Sequence, residues 1–305
     1  MMNRVQLRPK VAIIGSGVSG LTAAYVLNST HEVTLFESDD RFGGHSHTHK
    51  ISESDGKTQF IDSGFIVHND RTYPNLIRLF KELGVDTQET EMSMSINCDQ
   101  CGLEYVGGRG AKGIFAKPTK IADLRFVRLL FNVPRFYKAA SKLLDENMNS
   151  SVTWGEFLKQ NNFNPYFINH FAIPIVACVW SAGHEDSLSY PATHLFEFLR
   201  NHGMLQLGNS PKWRTVTGGS QNYVQAILQT IPNKSNRNAI TSIERNTDSV
   251  TVTSKNGSQE FDYAIIATHA DDALKILTDA DQFEKRALEN IGYSTNETWL
   301  HKDES

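Results

Sequence analysis

Three cysteines in 305 residues are too few for a disulfide scaffold, and an odd number cannot all pair with one another. No apolar run approaches the ~18–20 residues of a spanning helix. Long polar or proline-rich tracts are missing too, and with aromatics at 10 % low-complexity disorder is excluded. Nor is positive charge in excess. A net charge of −4 and a pI near 6.3 argue against a dedicated nucleic-acid binder, whose domain pI usually exceeds ~9. The first ten residues, MMNRVQLRPK, are basic but lead into a short strand-like run rather than a secretory apolar segment with a small-residue cleavage site. A cytoplasmic globular protein is expected, and at ~100–200 residues per domain the length suggests two domains.

The N-terminal region carries the densest information. Val11 to Ile14 has the composition of a buried parallel strand. Gly15, Ser16, Gly17, Val18, Ser19 and Gly20 follow as a G-x-G-x-x-G, then a helical run from Leu21 to Leu27 and a second strand, His31 to Phe36, ending on Glu37. Each part has a physical reason. Gly15 permits the tight turn, Gly17 lets the backbone approach a pyrophosphate, and Gly20 lets helix and strand touch. The helix beginning near Gly17 presents free N–H groups and a partial positive charge to phosphates. Glu37, about 20 residues beyond the glycines, stands where a carboxylate accepts both ribose hydroxyls. The combination points to a dinucleotide site in an α/β, Rossmann-like domain.

After Glu37 the chain reads Ser38, Asp39, Asp40, Arg41, Phe42, Gly43, Gly44, His45. Here the sequence resembles the flavin-containing amine oxidase superfamily, which includes protoporphyrinogen oxidases and carotenoid desaturases. That family extends the fingerprint with E-x-x-x-R-x-G-G, matched by Glu37, Arg41, Gly43 and Gly44, while His45 stands where an arginine is usual. Arg41 can offer a planar cation to the pyrophosphate, and the paired glycines let backbone pass beside a flat ring. The resemblance implies FAD as cofactor, with Ser38 and His45 beside it. It also implies that the strand Phe60 to Asn69 carries Gly64, Phe65 and Ile66 past the isoalloxazine; the alternative from composition alone is a plain buried strand with a glycine bulge. A nicotinamide dehydrogenase has no need of the Arg41-x-Gly43-Gly44 extension.

The middle of the chain is mostly helical in pattern. Leu76 to Leu83 is amphipathic and stops at Gly84, as a C′ glycine would do. Met92 to Ile96 alternates and pairs with Gly102 to Val106 as a hairpin, whose turn holds Cys98-Asp99-Gln100-Cys101. With no second C-x-x-C for zinc and no helix for a redox pair, these cysteines read as incidental, and no metal site is expected. His45, His47 and His49 alternate along one extended face and read as an imidazole-lined interface rather than a metal site. Between Arg109 and Lys142 lie nine Lys/Arg against one acid, Asp123, with apolar residues interleaved and Pro134 expected to kink the run. The stretch 112–142 is either a peripheral membrane contact or a solvated helical face. Phe167 to Trp180 reads as a buried helix containing Cys178 as a small core residue, and Trp180-Ser181 with a helix from Ala192 to Met204 is expected to wall an apolar pocket.

Val216 to Val224 places a glycine turn before a helix, short alternating strands follow at Ala239–Arg245 and Ser249–Thr253, Asn256-Gly257 marks a hairpin, and Phe261 to Thr268 is a further parallel-type strand. By resemblance, Ile240 contacts adenine through its backbone and the last strand returns beside Gly15. The resemblance therefore implies a discontinuous FAD-binding domain of three-layer (ββα) form over 1–70 and 211–290, with an inserted α+β substrate domain, mainly helical, over 71–210. Residues 291–305 would open a further substrate-domain strand, and the family pattern runs on beyond Ser305, so the chain reads as C-terminally truncated. The expected function is an FAD-dependent oxidoreductase acting on a small hydrophobic, lipid- or polyene-like substrate by C–C/C=C dehydrogenation, isomerisation or reduction. Alternatives are oxidation of a C–N bond and a truncated flavin-binding protein without activity. No general base is assigned; His68, Tyr73 and His269 are candidates.

Overall fold

The structure is a computed structural model that describes residues 8–53, 55–146, 150–180, 184–206, 208, 210–293, 295 and 299–300. The chain opens with β1 (Lys10–Ile14), α1 (Val18–Leu27) and β2 (Glu32–Phe36), then the hairpin β3 (Thr48–Ser52) and β4 (Thr58–Asp62) and the short β5 (His68–Asn69). Next come α2 (Pro74–Leu83), β6 (Thr87–Glu89), the hairpin β7 (Met94–Cys98) and β8 (Leu103–Gly107), α3 (Gly110–Ile114) and the long α4 (Leu124–Glu146). A helical stretch follows: α5 (Trp154–Gln160), α6 (Pro165–Phe167), a π-turn (Ile168–Ala172), α7 (Ile173–Trp180), α8 (His184–Ser189) and α9 (Ala192–Asn201). The return runs through β9 (Trp213–Val216), α10 (Gln221–Thr230), β10 (Asn233–Ser235), β11 (Ile240–Arg245), β12 (Val250–Ser254), β13 (Gly257–Phe261), β14 (Tyr263–Ile266), α11 (Ala270–Ile276) and α12 (Gln282–Glu289).

Strands from both ends of the sequence build one parallel sheet in the order β10-β2-β1-β14, with Ile14 opposite Phe36 on one side and Ile266 on the other. Alternate side chains of a strand face opposite ways, and both faces of β1 are covered. Val11 and Ile13 pack with Leu21, Ala24, Val224 and Ile227 of α1 and α10. Ala12 and Ile14 pack with Ile243, Val252 and Phe261 of the antiparallel sheet β11-β12-β13. Double burial explains the unbroken apolar run of β1 and produces the expected three-layer arrangement. The polar β10 carried no periodic signal. It exists because an edge strand needs only backbone pairing, and here Asn233 lies parallel opposite Thr34.

A second core has its buried residues between 103 and 205, with Met94, Ile96, Cys98 and Cys101 of the β7–β8 hairpin packed against them. Its centre is Phe136, whose ring lies 5.5–6.4 Å from those of Trp154, Phe157, Phe163, Phe167, Phe171 and Phe196. The aromatic residues of this region therefore fill one another's space. α9 contributes Leu195, Phe196 and Leu199 to that core and does not wall the cavity described below; Ser181 lies outside the described residues. Cys178 is exposed, a correction to its expected burial: it sits on the outer side of α7, whose Ile175 and Val176 face inward. α4 runs continuously through Pro134 and buries Phe126, Leu129, Phe136, Ala140 and Leu144. The sheet β5-β9-β6 links segments on either side of residues 70 and 211. Of 291–305, the described residues 291–293, 295 and 299–300 belong to no strand. No helix among the described residues is long and apolar enough to cross a membrane.

Phe136→Ala is expected to lower unfolding free energy by about 3–5 kcal/mol through loss of buried contacts and the cavity left behind. Phe131→Ala on the same helix, at a position 75 % exposed, should stay within about 0.5 kcal/mol of wild type. Denaturant titration of both variants checks this, and equal losses would contradict the assigned core face.

Candidate functional site

The carboxyl ends of β1, β2 and β14 open into a cavity of about 1110 Å³, at the upper end of, or beyond, the ~300–1,000 Å³ of common small-molecule pockets. Ile14 to Ser19, Phe36 to Asp39 and Ala267 to His269 form three of its walls, where ligands bind in open α/β sheets. Gly15 turns the chain out of β1 with φ of +100°. A Cβ on Gly20 would lie 1.9 Å from the Gly15 carbonyl oxygen, so α1 can approach the loop only because Gly20 has no side chain. Gly17 caps α1 with no side-chain partner, and nothing lies within 4 Å of a Cβ placed on it. Gly17 thus fronts open space at the positive end of a helix.

Glu37 is buried, and its oxygens gather the loops. Oε2 accepts from the Ser16 N–H at 3.0 Å and from the Ser16 hydroxyl. Oε1 accepts from the Asp39 N–H at 2.9 Å and the Ser38 hydroxyl at 3.2 Å. A carboxylate has about four acceptor sites, so a ribose diol at Glu37 would replace the two serine hydroxyls and leave the backbone bonds intact. The Gly43 N–H donates to the Ser16 carbonyl at 3.1 Å and to its hydroxyl at 3.0 Å, which joins the 41–46 loop to the fingerprint. A Cβ on Gly44 would sit 2.9 Å from Gly17 Cα. Arg41 lines the cavity; its Nε lies 3.8 Å from Asp39, and its Nη1 is buried with no hydrogen-bond partner.

Gly64 and Phe65 form the next layer. A Cβ on Gly64 would lie 2.0 Å from the His45 carbonyl oxygen, and the Phe65 N–H donates to that oxygen at 2.9 Å. Asp62 fixes this segment: it accepts from the Ser220 N–H at 2.9 Å, the Ser220 hydroxyl at 2.8 Å and Thr48 at 2.6 Å, anchoring the strand to the start of α10. Of the sequence-predicted residues, Gly15, Ser16, Gly17, Val18, Ser19, Glu37, Ser38, Arg41, Gly43, Gly44, His45, Phe65 and Ile240 line the cavity. Gly20 and Gly64 stand behind it as close-packing positions. Ile66 is 49 % exposed and outside it.

The histidines separate. His47 and His49 lie with ring centroids 4.0 Å apart and planes tilted by 38°, but His45 precedes β3 and instead stacks on His269 at 5.7 Å, which stacks on Tyr293 at 4.5 Å. Tyr73 and His269 line the cavity, whereas His68 does not. His68 is almost fully buried, and burial, reinforced by Arg214, holds its pKa below the ordinary value, so it stays neutral within the packing. Tyr223, whose hydroxyl pairs with Ser46, also lines the cavity; burial raises its pKa. Sequence reasoning missed Tyr223, Asn238, Ala267, Thr268, Asp272 and Lys275 as lining residues. Ala267 and Thr268 had a usable signal, since they follow a parallel strand at its carboxyl end. The others depend on the return of distant segments.

The sequence profile of the family described as flavin containing amine oxidoreductase matches residues 18–297. A Mycobacterium tuberculosis protein named as a flavin-containing monoamine oxidase, AofH, is 26 % identical over 277 residues, covering 84 % of this chain and 56 % of its own length. Cyclohexylamine oxidase from Brevibacterium oxydans superposes with a TM-score of 0.68 at 20 % identity, over 92 % of this chain and 63 % of that one. A fatty acid isomerase from P. acnes superposes with a TM-score of 0.61 at 17 % identity, with the same coverage. The chain thus spans about half the length of the curated relatives it matches, and the solved structures share its Rossmann-like fold. On the profile match, the chain belongs to the flavin containing amine oxidoreductase family, whose cofactor is FAD.

Proposed function

We propose that this chain holds FAD in the cavity at the ends of β1, β2 and β14, as part of an oxidoreductase acting on an apolar substrate. The observation that carries the cofactor site is Arg41. A buried guanidinium nitrogen without a partner costs free energy, and the pyrophosphate of a dinucleotide supplies the charged oxygen acceptor that it lacks. The open space before Gly17 and the free helix end beside it fit the same group. Residues 1–70 and 211–290 form the FAD-binding domain in this reading, and 71–210 the substrate domain.

Bound FAD supplies hydride-equivalent exchange at its ring, chemistry that no side chain of the protein provides. The chain's own residues bind and orient. Arg41 and the first turn of α1 neutralise phosphate charge, Glu37 selects the ribose, and Phe65, whose backbone is held on the His45 carbonyl with Gly64 packed behind it, gives a face for a ring. Phe65, Tyr73 and Leu76 line the same cavity, and their apolar surface favours a lipid- or polyene-like substrate acted on at a C–C or C=C bond. The second reading, oxidation at a C–N bond, draws on the family description and the AofH relative.

An approach route for such a substrate follows from α4. Leu124, Arg128, Phe131, Arg135, Lys138 and Lys142 are exposed along one helical stripe, joining two large apolar side chains to four cations. We take this stripe as a peripheral contact for an anionic bilayer.

Arg41→Ala should weaken FAD binding to the purified chain by roughly 10–100-fold, equivalent to losing one charge-assisted bond of about 1.5–3 kcal/mol. Flavin fluorescence titration measures it, and an unchanged Kd would contradict the pyrophosphate assignment. An unsaturated fatty acid added to the reconstituted chain should shift the visible flavin bands, whereas a short alkylamine should not; the opposite result selects C–N chemistry. The chain should co-sediment with anionic vesicles and not with neutral ones, and Phe131→Glu should reduce that binding. Equal sedimentation of wild type and variant would remove α4 as the contact.

A further inference from the structure

The turn of the β7–β8 hairpin brings Cys98 and Cys101 to His170, 69 residues beyond Cys101. One donor atom from each of the three side chains lies within 4.8 Å of the others, and Cys101 Sγ is 3.4 Å from His170 Nε2. We propose that Cys98, Cys101 and His170 bind a thiolate-preferring divalent metal ion, Zn²⁺ in the first instance. None of the three lines the nucleotide cavity, so this site is separate from the one above.

Four observations support ligation over simple packing. First, metal–sulfur and metal–nitrogen bonds of ~2.3 and ~2.0–2.1 Å in a tetrahedral site set a sulfur–nitrogen edge of roughly 3.5 Å, which the Cys101–His170 separation already matches. Second, the histidine is oriented as metal-bound imidazoles are. His170 Nδ1 lies 2.9 Å from the Tyr166 carbonyl oxygen; a carbonyl only accepts, so Nδ1 carries the proton and Nε2 turns its lone pair toward sulfur. Third, the ligands are held on defined backbone. Gly102, with φ of +61°, reverses the chain directly after Cys101, and its N–H closes the turn on the Cys98 carbonyl at 2.8 Å. His170 lies in the π-turn Ile168–Ala172, and its own carbonyl accepts from the Tyr105 hydroxyl at 2.7 Å. Fourth, the charges suit a neutral centre. Lys120 bonds the Cys101 carbonyl at 3.0 Å and Arg125 lies over the Tyr166 ring at 5.3 Å; two thiolates balance Zn²⁺, so the metal adds no net charge beside these cations.

Binding releases the two thiol protons to solvent and forms two metal–sulfur bonds and one metal–nitrogen bond, with no change of oxidation state. Three protein donors leave the fourth position for water. All three ligands are partly exposed, so the ion has a path of entry. The centre would tie the hairpin turn to the helical layer packed around Phe167 and Phe171.

The test uses the purified full chain, stripped with a chelator and titrated with Zn²⁺ against a chromophoric competitor, and in parallel with Co²⁺, whose thiolate charge-transfer absorption reports sulfur ligation. One metal ion per chain is expected, together with a thiolate band for Co²⁺. Cys98→Ser and His170→Gln should each lower affinity by at least about 100-fold, more than the 10–100-fold lost on removing an outer partner of a metal ligand. Cys178→Ser, an exposed cysteine outside the cluster, should bind as wild type does. Far-UV circular dichroism checks that the variants are folded, and if one is not, the Co²⁺ spectrum of the wild-type chain decides alone. No stoichiometric uptake, a Co²⁺ spectrum without a thiolate band, or equal affinity in folded Cys98→Ser would overturn the proposal.

Discussion

The buried carboxylate of Glu37 holds the site together. Its side chain takes the Ser16 N–H and the Asp39 N–H, its own N–H donates to the Ser235 carbonyl at 2.9 Å, and its carbonyl accepts from Asn238 at 2.9 Å. Two distant segments, the fingerprint loop and the stretch that leads from β10 into β11, therefore meet on one residue together with its own acidic turn after β2. A charge placed under the surface is tolerated only where donors surround it. Two of those donors, the Ser16 and Asp39 N–H groups, are backbone, so the requirement fixes the path of the chain and not only the position of a side chain. Through Ser16 the same network reaches Gly43, and through Gly43 and Gly44 it sets Arg41 at the cavity wall.

This dependence explains which parts of the fold were legible in the sequence. The glycines and Glu37 each answer a local geometric demand, so their spacing alone carried the strand–loop–helix–strand order. Alternating burial likewise made β7 and β8 readable, with Ile96 opposite Tyr105. β10 was invisible because its pairing is purely backbone. Cys178 was misplaced because an apolar run does not say which side of a helix faces out once the helix packs on one side only. His170 could not be joined to Cys98 and Cys101 from spacing, since nothing local links a hairpin turn to a π-turn about 70 residues later, a separation set by tertiary packing alone.

The two cores differ in kind. Around β1 mainly aliphatic side chains, with a few rings such as Phe36, Phe80 and Tyr223, fill the layers between a sheet, helices and a second sheet, and the glycine-rich loop emerges where the layers end. Around Phe136 large rings fill one mass, with edge-to-face contacts such as Phe157 on Phe196 at 4.6 Å. The first arrangement opens into the cleft at the strand ends; the second packs ring against ring. The binding surface therefore comes from strand ends and returning loops, while the helical region supplies a packed core against which the β7–β8 hairpin rests. Sequence motifs located the cleft; only the packing showed that the aromatic residues of the helical region around Phe136 do not line it.

The most direct measurement is hydrogen–deuterium exchange of the purified chain with and without FAD. FAD is expected to slow exchange across residues 15–20, 41–46 and 267–270 while leaving 154–171 in the aromatic core unchanged. Protection absent from these loops, or concentrated in the helical region instead, would contradict the placement of the cofactor at the ends of β1, β2 and β14.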